Sequence, residues 1–314
     1  MSVANSDSLV DAKIAAGPSL DAERTVDPLV ASVAGEGWII AKRMREPSQV
    51  ESFSTFLLRN AHELMRFRFA VWTFVLNTLQ RRYRRSALGF AWSLISPLLT
   101  MSVMSIVFSF LFHRDMKAYA VFLFSGMLPW SFISDTMVKG SQSIVQSEIF
   151  VKKLFIPKLF FPLVTVLSEV VNFVLAFASL CIVCAIIGAG LHWTMIFLPA
   201  VIGITFVFCV GLALLLSITT VYFRDVTHIL QVALTAIFYL IPIVYPISMV
   251  TPAFQRVIAC NPFFYFIDLF RQVLYLGTVP TLLQWCIPTA IAVFTVLVAL
   301  YVLRAREYDL VYRL

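Results

Sequence analysis

The chain has 314 residues, of which 60% are hydrophobic and only 13% are charged, and its mean hydropathy is +0.89. Soluble domains are about 45–50% apolar and about 25% charged, so this composition excludes an ordinary soluble protein and predicts an integral membrane protein. The formal net charge of +7 comes from basic residues that hydrophobic stretches separate. They indicate basic flanks of membrane spans, and no nucleic-acid partner is expected.

The first fifty residues differ from the rest of the chain. They are rich in Ser, Ala, Asp and Gly and have weak periodicity, which predicts a disordered or loosely attached cytoplasmic N-terminus over residues 1–50. They contain no apolar segment typical of a signal peptide, so no cleaved leader is expected. Residues 51–314 are predicted to form the membrane domain.

An amphipathic pattern opens this domain. Between residues 53 and 80, apolar residues recur at helical spacing, and charged residues such as Arg59, Glu63 and Arg66 interrupt them. The pattern predicts a helix over 53–80 that lies in the membrane interface. A helix packed on a soluble partner is an alternative that the same two faces allow.

Six apolar segments follow, each near the length of about 20 residues that a membrane helix needs. They are approximately 93–112, 118–138, 161–187, 195–221, 229–249 and 283–303. Gly126, Pro129 and Trp130 predict a kink or a break in the second segment. The sequence therefore predicts an all-α, polytopic membrane protein with six transmembrane helices.

Basic residues set the orientation of these spans. With the N-terminus inside, only Arg114, Lys117, Arg256 and Arg271 fall on outer loops. The residues on the inner flanks are Arg66, Arg68, Arg81, Arg82, Arg84, Arg85, Lys139, Lys152, Lys153, Lys158, Arg224, Arg304, Arg306 and Arg313. The positive-inside rule therefore predicts that both termini are cytoplasmic.

The segment between the fifth and sixth spans, residues 251–282, is too apolar for a solvated loop. Pro252, Pro262 and Pro280 interrupt it too often for another pair of complete spans. Short re-entrant helices fit better, because irregular backbone is tolerated in a membrane where protein or a water-filled cavity covers it.

Motifs of catalysis and nucleotide binding are missing from the sequence. It has no GxxxxGK[ST], HExxH or GxSxG motif, and its four histidines are far apart. We therefore expect a protein that is not an enzyme and that binds no cofactor or metal itself. Asp135 and Glu169 are the acidic residues within the spans, and they either take part in a transport path or form a structural ion pair.

Six segments occur in a characteristic order. They are YRRSALGFAWSLISPLL (83–99), FLFSGMLPWSFISDTM (122–137), SQSIVQSEIFVKKLFIPKLFFPL (141–163), VYFRDVTHIL (221–230), IPIVYPIS (241–248) and CNPFFYFIDLFRQVLYLG (260–277). The ordered set resembles the membrane permease of ABC-2-type exporters over about residues 53–303. The resemblance is closest to the branch that exports lipid-linked polysaccharides: O-antigen, capsule and teichoic acid.

This resemblance implies an exporter in the bacterial inner membrane. Two permeases would pair with two separate ATPase subunits, which bind ATP and magnesium. A polyprenyl-diphosphate-linked glycan would pass between the permeases, and O-antigen is the leading candidate for it. It also implies residue roles. The helix that docks on the ATPase falls around Gln142–Phe155, with Gln142, Glu148, Phe150, Lys152 and Lys153, and the outer gate falls on 252–277, with Asn261, Pro262, Asp268 and Arg271.

The residue chemistry supports two of these roles, with alternatives. The inner loop mixes apolar and charged residues as a short docking helix does, although a basic loop that follows the positive-inside rule is also possible. Arg81, Arg82, Arg84 and Arg85 suit a diphosphate headgroup, because a guanidinium binds phosphate with two donors. Anchoring on anionic lipid heads is the alternative.

A conduit for a repeating glycan is expected to be lined by aromatic rings, on which the C–H faces of sugars slide. The first and fifth spans resemble the walls of the family's channel, and the predicted lining is Trp92, Phe108 and Phe112 on the first span and Phe238, Tyr239 and Tyr245 on the fifth. Phe238 and Tyr245 are seven residues apart and are predicted to share a helix face. These rings would otherwise face lipid or pack between helices.

Other functions stay open at this point. An ABC-2 permease could carry capsule, teichoic acid, another lipid, a drug or a peptide. A membrane enzyme such as a glycan acyltransferase lacks its catalytic cluster here, and an assembly subunit is a further alternative.

Overall fold

The computed structural model describes residues 52–83, 91–113, 115–153, 156–188, 192–307 and 309–314, and this part of the chain is helical and contains no strand. Its α-helices are α1 (Phe53–Arg66), α2 (Arg68–Tyr83), α3 (Trp92–Leu111), α4 (Met116–Gln146), α5 (Glu148–Lys153), α6 (Phe160–Ile187), α7 (Leu198–Tyr222), α8 (Val226–Leu240), α9 (Pro252–Ala259), α10 (Pro262–Arg271), α11 (Leu282–Arg306) and α12 (Asp309–Arg313). Short 3-10 helices cover Trp193–Phe197 and Ile247–Met249, and a π-helical turn covers Gln272–Leu276. The all-α prediction is confirmed. The prediction for residues 1–50 lies outside the described residues.

Several helices are long and apolar enough to cross a membrane, as the multi-pass prediction requires. They are Met116–Gln146, Phe160–Ile182, Trp193–Tyr222 and Leu282–Arg306, at the second, third, fourth and sixth predicted spans. The pair Pro252–Ala259 and Pro262–Leu276 is bent by 100° and forms a broken span or a re-entrant loop. The first and fifth predicted spans contain shorter apolar helices, Ile95–Leu111 and Val226–Leu240. The described residues therefore contain four or five spans by length and composition.

The helix at the fifth predicted span is short because a proline follows it. α8 ends at Leu240, and Ile241 has extended backbone with φ −88° and ψ 137°. A residue directly before a proline is pushed towards this conformation. Tyr245 lies beyond the end of α8, so the prediction that Phe238 and Tyr245 share a helix face is wrong.

The second predicted span is not broken. α4 is one helix of 31 residues although Pro129 lies inside it. Proline removes one backbone hydrogen bond from a helix, but Leu128 and Ile133, on either side of Pro129, are at most 2% exposed. Packing therefore holds the helix continuous through the proline.

Two glycines allow close helix contacts around α7. A Cβ atom on Gly140 of α4 would lie 2.6 Å from the Cβ of Ala213 in α7. A Cβ atom on Gly211 of α7 would lie 2.8 Å from the backbone nitrogen of Val296 in α11. Small residues permit such approaches in membrane proteins, where van der Waals packing drives helix association. α7 thus lies between α4 and α11.

Helix α10 is enclosed by the other helices. The ring of Phe266 stacks on Phe208 of α7 with 4.2 Å between centroids, and Phe270 contacts Phe173 of α6 at 5.5 Å. Phe266 and Phe270 are fully buried. The apolar character of α10 is therefore explained by burial inside the protein, where irregular backbone is protected from lipid, whereas Val257 of α9, Leu276 and Val279 are at least half exposed.

The predicted interface helix over 53–80 forms two helices, because α1 ends at Arg66 and α2 begins at Arg68. α1 buries Phe56 and Asn60, and Arg59 of α1 forms an ion pair of 3.2 Å with Glu307, just after α11. α2 packs against α6. One face of each helix is thus covered by the chain itself, and their location in the membrane interface stays a prediction.

Candidate functional site

A single residue separates the end of α4 from the short helix α5, which carries Glu148, Phe150, Lys152 and Lys153 of the predicted docking residues. Lys152 Nζ donates a hydrogen bond of 2.5 Å to Glu148 Oε1. This hydrogen bond and the ammonium charge lower the pKa of Glu148 below its ordinary value. On the last turn of α4, Gln146 donates to the side-chain oxygen of Gln142 at 2.7 Å. The side chain of Lys153 lies outside the described residues.

The apolar side chains of α5 divide into two kinds of contact. Phe150 meets the ring of Phe74 in α2 edge-on, with 5.6 Å between centroids, and it is 38% exposed. Ile149 is 67% exposed. Ile149 is therefore the more accessible apolar contact point, whereas Phe150 partly connects α5 to α2.

The predicted arginine cluster is described in part. Arg81 is exposed near the end of α2. The side chain of Arg82 and all of Arg84 and Arg85 lie outside the described residues. Binding of a headgroup by this cluster stays a prediction.

The aromatic residues of the first predicted span lie at two places on α3. Trp92 is 44% exposed at the start of the helix. Phe108 stacks on Phe112 with 5.9 Å between centroids, and Phe112 contacts Tyr119 of α4 at 6.0 Å. Phe108 and Phe112 therefore form part of the contact between α3 and α4, and their role as channel lining stays a prediction.

The aromatic residues at the end of α8 are brought together. Phe238 contacts Trp130 of α4 with 6.1 Å between centroids and meets Tyr239 edge-on at 5.2 Å. The hydroxyl of Tyr245 donates to the backbone oxygen of Tyr239 at 3.0 Å. The chain folds back after α8, so Tyr245 approaches Tyr239 although it is not on the helix.

A groove with a volume of about 350 Å³ separates α4 from α8. We call it the α4–α8 groove, and its lining is Trp130, Ser134, Asp135, Val138, Gln231, Leu234, Thr235, Phe238 and Tyr239. At one end of the groove the helices meet through Ser141 and Thr227, whose hydroxyl oxygens are 3.3 Å apart. At the other end they meet through the Trp130–Phe238 ring contact. Aromatic walls with a few polar groups are typical of ligand sites of this size.

The two acidic residues predicted within the spans share one lysine. Lys139 Nζ lies 2.7 Å from Asp135 Oδ2 and 3.0 Å from Glu169 Oε1. Glu169 also accepts a hydrogen bond from Asn172 at 3.0 Å. Glu169 is buried, whereas the Asp135 side chain is 53% exposed and lines the groove. Both carboxylates thus form the structural ion pair that the sequence left open, and Asp135 also faces the groove.

The predicted outer-gate residues lie at the break of the bent pair and along its second helix. The side-chain oxygen of Asn261 accepts a hydrogen bond of 3.0 Å from the backbone N–H of Phe263. Pro262 occupies the first position of α10, where its missing N–H costs nothing. Asp268 accepts a hydrogen bond of 3.3 Å from Gln284 in α11. Asn261 and Pro262 therefore set the start of α10, and Asp268 joins it to α11.

The charge count placed Arg271 on an outer loop. In the structure Arg271 is the last residue of α10 and is only 8% exposed. Its Nη2 donates a hydrogen bond of 2.7 Å to the backbone oxygen of Ile243, and its guanidinium lies 4.1 Å from the ring centroid of Phe122 in α4. Nearby, the hydroxyl of Tyr119 donates to the backbone oxygen of Val244 at 2.6 Å. Arg271 and Tyr119 thus hold the backbone that follows α8.

A family model described as ABC-2 type transporter matches residues 70–275, more than half of the chain. The chain belongs to the ABC-2 type transporter family. This ABC-2 chain resembles curated transport proteins along most of their length. The O-antigen export system permease protein RfbA of Myxococcus xanthus is 27% identical over 226 residues, which are 71% of this chain and 87% of that protein.

Two further relatives of this ABC-2 chain are more distant. The O-antigen export system permease protein RfbA of Klebsiella pneumoniae is 26% identical over 202 residues, 64% of this chain and 78% of that protein. The polysialic acid transport protein KpsM of Escherichia coli is 19% identical over 239 residues, 74% of this chain and 91% of that protein. The ABC-2 match includes α5, the α4–α8 groove and Arg271, and it ends before α11.

Ser134, Gln231 and Thr235 line the groove of this ABC-2 chain but were not predicted from the sequence. The sequence does indicate part of this lining, because Gln231, Thr235 and Phe238 follow helical spacing and so share one face of the helix. In the part of the chain that the structure describes, no three His, Cys, Asp or Glu side chains are grouped as a metal site would need.

Proposed function

We propose that this chain is the membrane permease of an ATP-driven exporter of a polysaccharide, with O-antigen as the leading cargo. The observation that carries the proposal is the similarity to two permeases named for O-antigen export and to one protein named for polysialic acid transport. The α4–α8 groove supports it, because its aromatic and polar lining suits sugars. Capsule and teichoic acid are alternative cargoes of the same class.

The proposed substrate is a glycan linked to polyprenyl diphosphate. The lipid would enter sideways from the inner membrane of a bacterium, and the diphosphate would lie by the arginines that begin with Arg81. Arg81 is exposed at the end of α2, which supports contact with a headgroup, since arginine binds phosphate with two donors at once.

The proposed partners are a separate ATP-binding subunit and a second copy of the permease. ABC-2 permeases work with an ATP-binding subunit, and we propose two copies of each, with ATP and magnesium on the ATPase. The contact on this chain is α5, where exposed Ile149 lies between the charged residues Glu148 and Lys152. An apolar side chain on a short charged helix suits a groove on another protein.

The proposed topology has six spans and both termini in the cytoplasm. α3 and α8 complete the set of spans. α8 has 15 residues and is about 22 Å long, which is shorter than the hydrocarbon core of about 30 Å, so residues 241–249 would complete the crossing. In a background whose native cysteines are replaced by serine, because Cys260 and Cys286 are exposed, we expect a thiol reagent to label Arg256→Cys in intact cells and to label Arg224→Cys only after permeabilisation. Labelling of Arg224→Cys in intact cells would refute this orientation.

Deletion of the gene tests the function. We expect surface polysaccharide to be lost and the wild-type chain to restore it, and chemical analysis of the glycan identifies the cargo. The Ile149→Asp variant should insert into the membrane but fail to restore export or to co-purify with the ATPase, because a charge would enter an apolar contact.

Lys117→Asp is the matched control, since Lys117 is exposed on the first turn of α4, at the opposite end of that helix from α5. It should support export and ATPase binding. Unchanged surface polysaccharide in the deletion strain would contradict the function. Normal ATPase co-purification by Ile149→Asp would contradict the docking role of α5 alone.

A further inference from the structure

Lys158, in the loop between α5 and α6, caps the end of α11. Its ammonium donates a hydrogen bond to the backbone oxygen of Glu307, the residue directly after α11. The last carbonyls of a helix lack partners within the helix and carry partial negative charge, so a cation is stabilised beside them. The loop that follows α5 is therefore fixed to a helix that is far away in the sequence.

The contact between Lys158 and Glu307 is partly shielded from water. Burial is the main cause that lowers the pKa of Lys158, and the carboxylate of Glu307 acts in the opposite direction. The next residue, Leu159, is buried in the same apolar cluster as Leu300 and Leu303 of α11. Because water competes less for a shielded hydrogen bond, this contact holds its geometry better than an ion pair on the open surface.

The end of α11 is itself held in place. Arg59 of α1 pairs with the carboxylate of Glu307 at 3.2 Å. Beyond Glu307, Leu310 of α12 is fully buried, and the guanidinium of Arg313 lies 4.8 Å from the ring centroid of Tyr222 at the end of α7. A displacement of the loop would therefore move α11 with it and would not simply unwind the last turn of the helix.

The two ends of α5 lead to different helices. One residue separates its first turn from α4, whereas its last turn is followed by the loop that Lys158 fixes to α11. α11 packs closely on α7, because Gly211 lets the two backbones approach each other. A movement of α5 can thus enter the helix bundle through α11 as well as through α4.

We propose that Lys158 is a positioning residue for transport: it fixes the loop after α5 to α11, so that an ATPase-driven movement of α5 also moves α11. This inference rests on the proposed function and extends the docking role of α5. Lys158 acts through the position of α11 and needs no contact with the cargo.

Lys158→Met in the complete exporter tests the inference, because methionine has a similar length but no charge and no N–H donor. We expect it to co-purify with the ATPase and to hydrolyse ATP within about twofold of the wild type, while surface polysaccharide falls at least about tenfold, as lost coupling between distant sites implies. Lys158→Arg keeps the charge and the donors and should restore most of the export. Lys117→Met is the matched control and should export normally, since Lys117 is exposed at the other end of α4.

Fluorescent labels report the movement directly. In a background without native cysteines, bimane is attached to Ala305→Cys near the end of α11 or to Gln146→Cys at the end of α4, and both positions are exposed. ATP should change the emission at both positions in the otherwise unchanged exporter. In Lys158→Met the change should persist at position 146 and disappear at position 305. A residue that only stabilised the fold would weaken both signals alike.

Lys158→Gln keeps an amide donor without the charge, and it should show the same pattern in a milder form. Normal export by Lys158→Met, an ATP response at position 305 in that variant, or no export by Lys158→Arg would each overturn the inference. Failure of both Lys158→Met and Lys158→Gln to co-purify with the ATPase would show that Lys158 only stabilises the fold, and would overturn it too. These outcomes are separate from the deletion test, in which an unchanged surface polysaccharide defeats the proposed function.

Discussion

Replacing Arg271 with alanine is expected to lower the free energy of unfolding by about 3 kcal/mol. The substitution removes the hydrogen bond to the backbone oxygen of Ile243 and the contact with the Phe122 ring. An orphaned buried carbonyl costs about 1–3 kcal/mol, and a desolvated cation–π contact contributes about 2 kcal/mol. Purified protein should therefore melt roughly 6–12 °C lower, as measured by size-exclusion chromatography after heating.

The matched control for this change is Arg256→Ala. Arg256 is exposed on α9, so its substitution should change stability by less than about 0.5 kcal/mol. Arg271→Lys keeps the charge but lacks the planar fork, and we expect it to fall between the wild type and Arg271→Ala. If Arg271→Ala melts at the wild-type temperature, Arg271 does not hold the backbone after α8.

Replacing Gly211 with leucine is expected to destabilise the helix core by about 3 kcal/mol or more. The new Cβ atom would lie 2.8 Å from the backbone nitrogen of Val296 and 2.9 Å from the backbone carbon of Thr295. A backbone cannot move aside as a flexible side chain can, so α7 and α11 would have to separate. We expect aggregation or a low yield of monodisperse protein after extraction in detergent.

Gly203→Leu is the control on the same helix. A Cβ atom on Gly203 would have no other atom within 4 Å, and leucine is a better helix former than glycine by up to about 1 kcal/mol. This variant should be as stable as the wild type or more so. Equal yields of Gly211→Leu and Gly203→Leu would show that α7 and α11 do not need their close contact.

The sequence predicted the local features of this fold well. Apolar length and period placed the long helices, because burial in lipid requires about 20 apolar residues in a row. The apolar segment with Asn261 and Pro262 was correctly separated from ordinary loops, since its side chains are too apolar for water. These features depend on residues that are close together in the chain, and a sequence shows such residues directly.

Features that depend on distant residues were missed or misplaced. Arg271 was counted as an outer-loop charge, because its partners Phe122 and Ile243 are far away in sequence. Phe150 was expected to face a partner, but Phe74 of α2 takes up part of its surface. The groove also needed α4 and α8 together, so neither helix alone indicated it. Tertiary packing decided each of these cases.

Because α4 is continuous, it can transmit a movement from one of its ends to the other. With 31 residues it is about 46 Å long, longer than the hydrocarbon core of about 30 Å. Tyr119 and Phe122 near its start meet the Arg271 contacts, its middle lines the groove, and its end leads within one residue into α5. A tilt of about 5° would shift one end against the other by about 4 Å. A push on α5 would therefore reach the groove and the Arg271 contacts as a single rigid movement.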